Sequence, residues 1–286
     1  MGQVIVSGLQ LGSSYALMAL ALVLVLKATA VPNFAMAEMG LLPAFLVWVA
    51  VGPLHWNLYV AVGCGLAVAF VLGIVVERGF IRPIVRHSHL SATFMTIGLF
   101  FLVNSIVALV WGSDPRPLEA PVTGSFALGG TVVPYEAIVT IVVAAAIMIG
   151  LEIFFRSPAG VQMRAIAEDR VTPRLLGVKL PRMFRIAWGM ATVVSTIAVV
   201  LTAQSTVLND QTSQTLILTG FVAATLGGFS SVGGAFVGGL ALGVVENLVG
   251  NYVSTASASA VSLLVVVAVL MIKPEGLFGR GGVREI

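Results

Sequence analysis

The sequence predicts an all-α protein, a polytopic transmembrane helical bundle, and three observations predict it. Of the 286 residues, 58% are hydrophobic and only 9% are charged, and the mean hydropathy is +1.06. A soluble domain would carry roughly a quarter charged residues. Apolar runs follow one another along the chain, and the basic residues lie mainly in the gaps between them. No linker rich in proline or serine divides the chain, so we expect residues 1–286 to form a single membrane domain.

Each spanning helix needs about 20 mostly apolar residues, and nine segments of this kind are predicted. They lie at residues 4–26, 36–54, 57–76, 91–112, 135–155, 184–204, 214–229, 234–250 and 256–272. The second, seventh and eighth are short or interrupted. Eight spans would result if 36–54 only re-enters the membrane or if 214–250 is miscounted. The first run lacks a basic leader and a cleavage motif, so it is expected to be retained.

The basic residues predict the orientation of the chain. Thirteen of the 15 lie in three regions: the gap after residue 76, the gap 156–185 and the tail after residue 272. Alternation of the spans puts these three regions on one side, and the positive-inside rule makes that side the cytoplasm. The gap 113–134 holds a single arginine, as an outer loop would. We therefore expect the N-terminus outside and the C-terminus in the cytoplasm.

Several kinds of chemistry are excluded by the sequence. No lysine lies in the glycine-rich pattern of a P-loop, and the three histidines have no spacing suited to a metal site. The single cysteine, Cys64, excludes an internal disulfide and is expected to be a small core residue. The basic residues in gaps between apolar runs do not indicate nucleic-acid binding. The sequence therefore predicts a transport or channel subunit without enzymatic activity of its own.

Glycines are regularly spaced late in the chain. Gly234 and Gly238 form one pair four residues apart, and Gly239 and Gly243 form another. Small residues at this spacing let helices approach closely in lipid, where packing drives helix association. The segment 227–234 is rich in glycine and serine, which predicts a turn or a break between two short helices.

The gap 156–185 concentrates charge in an otherwise apolar chain. Residues 162–170 predict a short helix with Met163, Ile166 and Ala167 on one face, after a bend permitted by Gly160. A second short helix, about 173–176, is predicted to end at Gly177. Two interpretations stay open for this loop. It is an amphipathic element at the lipid surface, or it is a docking site for a cytoplasmic partner, which the mixed charges favour slightly.

The stretch "GVQMRAIAEDRVTPRLLGVKLPR" resembles the cytoplasmic coupling loop of ATP-binding-cassette importer permeases of the branched-chain amino acid type. The matching positions are Gly160, Arg164, Ala165, Ala167, Asp169, Leu175, Leu176, Gly177, Val178 and Arg182. Other blocks are similar to the family in the same order: "GLQLGSSYALMALALVLV", "NFAMAEM", "ERGFIRPIVR", "LGGFSSVGGAFVGGLALGVVENL" and "KPEGLFGR". The resemblance covers nearly the whole chain.

This resemblance implies a type II importer permease in a bacterial inner or plasma membrane. It implies a second permease subunit, related but distinct, two cytoplasmic ATPases and an external substrate-binding protein, with ATP and Mg used only by the ATPases. It makes 156–185 a coupling loop, with these candidate coupling residues: Arg164, Ala165, Glu168, Asp169, Arg174, Leu175, Leu176 and Gly177. Which face docks stays open, the charged side with Glu168 and Asp169 or an apolar seam of Val171, Leu175 and Leu176.

Polar residues inside spans usually face a bundle interior or a cavity, so some are candidates for the substrate pathway. The candidates are Tyr15, Asn33, Phe34, Glu38, Asn104 and Glu246. The family's histidine and glycine in the "NFAMAEM" block are Met36 and Ala37 here, which leaves the solute open.

The function expected is a permease subunit of an ATP-driven importer for branched-chain or related small amino acids. One alternative is the same type of importer for urea, short amides or another small solute. A second is a self-contained secondary carrier or channel, and a third is a membrane scaffold without translocation.

Overall fold

The computed structural model describes residues 1–85, 89–120, 122–128, 130–168, 173 and 177–279. The first half contains α1 (Gly2–Thr29), α2 (Met36–Val51), α3 (Leu58–Val76), a π-helical turn π1 (Glu77–Ile81), α4 (Arg82–Val85) and α5 (His89–Trp111). Then come β1 (Ser125–Leu128), β2 (Thr131–Pro134), α6 (Tyr135–Arg156) and α7 (Pro158–Glu168). The last part contains α8 (Leu180–Ser205), α9 (Asp210–Gly227), α10 (Val232–Tyr252) and α11 (Thr255–Ile272).

Each predicted apolar segment is a helix, with ends that shift by a few residues. Six of the described helices are long and apolar enough to cross a membrane: α1, α3 with its extension to Val85, α5, α6, α8 and α10. The all-α membrane bundle is therefore confirmed. One local addition is a short antiparallel hairpin in the gap 113–134, where Ser125 pairs with Pro134 and Leu128 with Thr131.

The centre of the bundle is α1. Its residues from Ser13 to Val25 are buried throughout, and it packs mainly against α10 and α8, with α9 and α6 completing its surroundings. The outer helices expose large apolar side chains, among them Leu109 on α5, which is 85% exposed. A surface of this kind suits contact with lipid tails. Cys64 lies on the exposed surface of α3, so its predicted place in the core is wrong.

The two glycine pairs of α10 contact two different helices. A Cβ atom built on Gly239 would lie 2.5 Å from the backbone of Ala16 in α1, and one on Gly243 would overlap the backbone of Gly12. Gly238 instead lies against the backbone of Ala223 in α9, and Gly234 against Gly227 at the end of that helix. The two pairs therefore let α10 approach α1 on one side and α9 on the other.

The break predicted at 227–234 is confirmed. Helix α9 ends at Gly227, and Gly228 has a φ of 95°, a conformation that favours glycine. Helix α10 begins after Ser231, whose side chain accepts a hydrogen bond of 2.9 Å from the backbone N–H of Gly234. The two helices thus form an antiparallel pair joined by a capped turn.

Contacts between loops and helix ends show which of them lie together on each of the two sides of the bundle. On one side, Gly2 lies beside Thr131 of the hairpin, and Arg116 pairs through its backbone with Leu208. On the other side, the Nζ atom of Lys27 lies 5.1 Å from the centre of the Phe155 ring, and Phe278 packs near the α9–α10 turn. This is the same division that the alternation of predicted spans requires.

Candidate functional site

A break in the helices between α1 and α2 forms the centre of the candidate site. Ala30 has a φ of 54°, which ends α1, and residues 30–35 run without regular helix. The Asn33 side chain satisfies part of this backbone because its Oδ1 accepts a hydrogen bond of 3.0 Å from the Ala35 N–H. The Phe34 N–H donates to Thr96 Oγ1 of α5 at 3.2 Å. Irregular backbone is tolerated at membrane depth only where protein or a cavity surrounds it.

The start of α2 is fixed to the middle of α8. The buried Ser195 hydroxyl donates a hydrogen bond of 2.7 Å to the Met36 carbonyl. A Cβ atom at Gly40 would lie 2.8 Å from the carbonyl carbon of Ser195. This side of the break therefore rests directly on α8.

Glu38 forms the polar core of the site. Its residue is fully buried, and its Oε1 accepts a hydrogen bond of 2.8 Å from the Ser213 hydroxyl of α9. Asn104 of α5 also faces this carboxylate, and Asp210 lies near enough to repel it. Within the described part of the chain, Glu38 Oε2 and Asn104 Nδ2 make no well-formed hydrogen bond. The Glu38 carboxylate and the Asn104 amide are thus held next to each other where three helices meet.

A row of aromatic rings lies beside this polar core. Phe34 is 38% exposed and stacks on Phe221 of α9, with ring centres 4.8 Å apart and planes at 28°. Phe221 in turn lies 6.4 Å from the ring of Phe229, just beyond the end of α9. The helix break therefore presents an aromatic surface, whereas Asn33 and Glu38 lie beneath it.

Helix α9 carries a polar face that was not predicted from the sequence. Gln211, Thr215 and Leu218 are exposed at helical spacing, and Gln214 and Thr219 are half-buried. Exposed amides and hydroxyls are unusual on a helix packed within a membrane bundle, since polar groups there usually face a cavity or another polar surface. The sequence does contain a signal for this polar face, the run "DQTSQT" at residues 210–215. The predicted seventh segment, 214–229, begins inside this run and therefore leaves most of it out.

The remaining pathway candidates lie between other helices. The Tyr15 hydroxyl of α1 is hydrogen-bonded to Glu246 of α10, so this pair joins the two helices of the glycine contact. The structure thus brings Asn33, Phe34, Glu38 and Asn104 together near the helix break and places Tyr15 with Glu246 at the α1–α10 contact. No group of three or more histidine, cysteine or acidic residues suited to a metal ion occurs among the described residues.

The gap 156–185 begins with helix α7, which packs on the bundle through its apolar face. Met163 and Ile166 are buried against α1 and α6, whereas Arg164 and Ala165 are exposed. The predicted bend at Gly160 is wrong, because α7 already begins at Pro158 and runs through this glycine. A Cβ atom there would overlap the backbone of Phe154 and Phe155, so Gly160 allows a close approach between α7 and the end of α6.

The rest of this loop is described only in part. Asp169, Arg174, Leu175 and Leu176 lie outside the described residues, as does the apolar position Val171. Of Glu168, the structure describes the backbone, which ends α7. Gly177 has a φ of 80°, and the Val178 N–H donates to the Pro173 carbonyl at 2.9 Å, a bond typical of a helix end at glycine.

Comparison with known proteins identifies the family. The model of the family described as "Branched-chain amino acid transport system / permease component" matches residues 4–272. The chain belongs to this permease family. It is therefore a multi-pass membrane permease, and the resemblance inferred from the ordered sequence blocks is confirmed.

Individual relatives of this permease span nearly its whole length. It is similar to the high-affinity branched-chain amino acid transport system permease proteins LivH of Salmonella typhimurium and Escherichia coli, with 30% identity over 296 residues, 98% of this chain and 96% of each relative. It is also similar to the protein of that description named BraD in Pseudomonas aeruginosa, with 28% identity over 299 residues, 99% of this chain and 97% of BraD. No solved structure matches the chain.

Proposed function

We propose that this permease is one transmembrane subunit of an ATP-driven importer that translocates branched-chain or related small amino acids. It works with a second, related permease, two cytoplasmic ATPases that use ATP and Mg, and an external substrate-binding protein. Membership of the permease family and the descriptions of its relatives support this proposal. The observation that carries it is the exposed polar face of α9, which lies beside the aromatic row of the helix break.

The substrate pathway follows this face. Gln211, Gln214 and Thr215 offer amides and hydroxyls, which suit the ammonium and carboxylate groups of an amino acid. Leu218 and the Phe34–Phe221 pair offer apolar contact for an aliphatic side chain. A few placed polar groups on an otherwise apolar wall are typical of small-molecule sites.

Glu38 acts from beneath this wall. Buried at the junction of α2, α5 and α9, it holds the start of α9 through its hydrogen bond with Ser213. Asn33 supports the break that presents Phe34. These two residues therefore shape the pathway, and Phe34 contacts the substrate.

The cytoplasmic machinery binds the loop 156–185. The exposed side of α7 with Arg164 and Ala165 faces the ATPase, since the opposite side is used by packing on the bundle. This arrangement favours the charged side of the loop as the docking face. In the same proposal the chain spans the membrane nine times, with its N-terminus outside.

A bulky substitution on the α9 face tests the pathway. In proteoliposomes containing the whole importer, Thr215→Phe should lower leucine uptake about tenfold, the effect of roughly 1.4 kcal/mol on the transport barrier. Val142→Phe is the matched control, because Val142 is exposed on α6, away from this face. Equal uptake by the two variants would mean that α9 presents Thr215 to lipid.

The same preparation tests the solute class. Uptake of leucine, isoleucine and valine, measured beside urea and acetamide, should favour the amino acids. Preference for urea or acetamide would assign the importer to that solute instead, and ATP-independent uptake by the permease alone would contradict the proposal.

A further inference from the structure

A partly buried ion pair lies within one helical segment, at the point where α3 passes through π1 into α4. Arg82 Nη2 lies 2.5 Å from Glu77 Oε2, and Arg82 Nε donates to Glu77 Oε1 at 3.0 Å. The Glu77 side chain is 1% exposed and that of Arg82 is 23% exposed. Such a two-bond contact fixes the relative orientation of both groups as well as their distance.

The local helix geometry makes this pair. Residues five apart on an α-helix point in directions about 140° apart, because each residue turns the chain by about 100°. Here Glu77–Ile81 forms a π-helical turn, and the Arg82 N–H donates to the Glu77 carbonyl. The wider turn brings position 82 above position 77 and allows the pair to form.

Arg82 also reaches across to α8. Its Nη2 donates to the Pro181 carbonyl at 3.3 Å, and Arg185 Nε donates to the same carbonyl at 3.2 Å. Pro181 lies in the first turn of α8, directly after the loop 156–185. One arginine therefore connects Glu77 to the point where this loop enters the bundle.

Above this contact, α3 and α8 are packed backbone to backbone. A Cβ atom at Gly73 would lie 2.7 Å from Thr192 Oγ1 and would overlap the Trp188 carbonyl. A Cβ atom at Gly189 would lie 2.7 Å from the Phe70 ring. Farther along, α8 holds the start of α2 through Ser195 and the Met36 carbonyl. Helix α8 thus runs from the loop to the helix break of the candidate site.

We propose that Glu77 and Arg82 are positioning residues for the ATP-driven step, because their ion pair holds the Arg82 guanidinium where it also binds the Pro181 carbonyl, and so fixes the base of α8 to the end of α3. When an ATPase moves the loop 156–185, α8 and α3 then move together, and the movement reaches the helix break through Ser195. Without the pair, the base of α8 slips against α3 and ATP is hydrolysed with less transport. This inference rests on the proposed function.

The burial of Glu77 gives the contact its strength. A carboxylate taken out of water is strongly unfavourable unless it is paired and hydrogen-bonded, so Glu77 holds Arg82 tightly. Arginine is suited to the position because its planar fork binds the carboxylate and the carbonyl at once, which a lysine ammonium does not reproduce.

The test uses the complete importer in liposomes, with its ATPases and external binding protein. Glu77→Gln, Arg82→Lys and Arg82→Gln are compared with Arg78→Gln, an exposed arginine of the same π-helical turn. For each assembled complex, leucine uptake and ATP hydrolysis are measured together. The wild-type complex is measured first, and ATP-independent uptake by it would overturn the proposed function rather than this inference.

Each outcome supports or contradicts the proposed positioning role of the Glu77–Arg82 ion pair. We expect Arg82→Gln to assemble and hydrolyse ATP while its leucine uptake per ATP falls about fivefold, with smaller falls for Arg82→Lys and Glu77→Gln. Arg78→Gln should keep the wild-type ratio. An unchanged ratio in the three pair variants would overturn the inference. So would a loss of assembled complex in proportion to uptake, since that would make the pair purely structural.

Discussion

Single glycines decide how closely the central helix of the bundle is packed. Gly8 and Gly12 of α1 face α10, and Gly239 and Gly243 of α10 face α1, so the contact is made of small residues from both sides. A Cβ atom at Gly8 would lie 2.9 Å from the Val244 Cα atom. In lipid, helix association depends on such close packing.

Gly239→Val should therefore lower the stability of the permease. The added side chain meets the Ala16 backbone, which cannot move without separating α1 from α10, and overpacking of this kind costs about 1–3 kcal/mol. A lower melting temperature in detergent measures the effect. The control is Gly98→Val on α5, where nothing lies within 4 Å of the added atom. Equal melting temperatures would show that the α1–α10 contact adapts.

Individual residues also show where the sequence was informative. The pairs at 234/238 and 239/243 were visible from spacing, but their two different partners were not, because spacing alone does not say which helix lies opposite. Asn33, Phe34 and Glu38 stood out as polar or aromatic residues after a proline. The face of α9 was missed because its polar residues lie at a helix start, where polar side chains are common anyway.

Among whole elements, α7 is the clearest link between sequence and function. Its amphipathic pattern is confirmed for the described residues, since Met163 and Ile166 are buried and Arg164 is exposed. The π-helical turn at Glu77–Ile81 was not predicted, because nothing in the apolar periodicity of α3 distinguishes a wider turn from a regular one. The β-hairpin was not predicted either, because the gap 113–134 was interpreted only from its charged residues.

Charge reversal on α7 tests its role as a docking element. Arg164→Glu should reduce copurification of the ATPases and lower ATP hydrolysis by the complex about threefold to tenfold, as expected for loss of a charged contact at an interface. The chain itself should insert and fold normally, because Arg164 does not contribute to the buried face. Arg78→Glu, an exposed arginine of π1 outside the loop 156–185, is the matched control. Identical ATPase recovery from both variants would make α7 a lipid-facing element.

For the molecule as a whole, alternation of apolar segments and charged gaps was enough to predict the bundle. Each expected segment is a helix, and the loops sort into two sides in the expected way. The order of helices around α1 was beyond prediction, because nearly all segments are apolar on every side and carry no marked inner face.

The orientation is tested with single cysteines. Cys64→Ala provides a cysteine-free background, since Cys64 is the only cysteine of the chain. A membrane-impermeant maleimide applied to intact cells should label Thr123→Cys in the gap 113–134 and leave Lys179→Cys in the loop 156–185 unlabelled. Inside-out vesicles should give the opposite pattern, with uptake measured to verify that both variants are active. Labelling of Lys179→Cys on intact cells would reverse the proposed orientation.

The pairing of α1 with α10 also governs the order in which the molecule is made. The two helices are separated by about 200 residues, so a ribosome working at about 5–20 residues per second completes α10 roughly 10–40 s after α1. During that interval the newly inserted α1 carries Gly8 and Gly12 with no permanent neighbour to cover them. The middle of the bundle is therefore closed last, and nascent chains halted before α10 should remain unusually sensitive to membrane proteases.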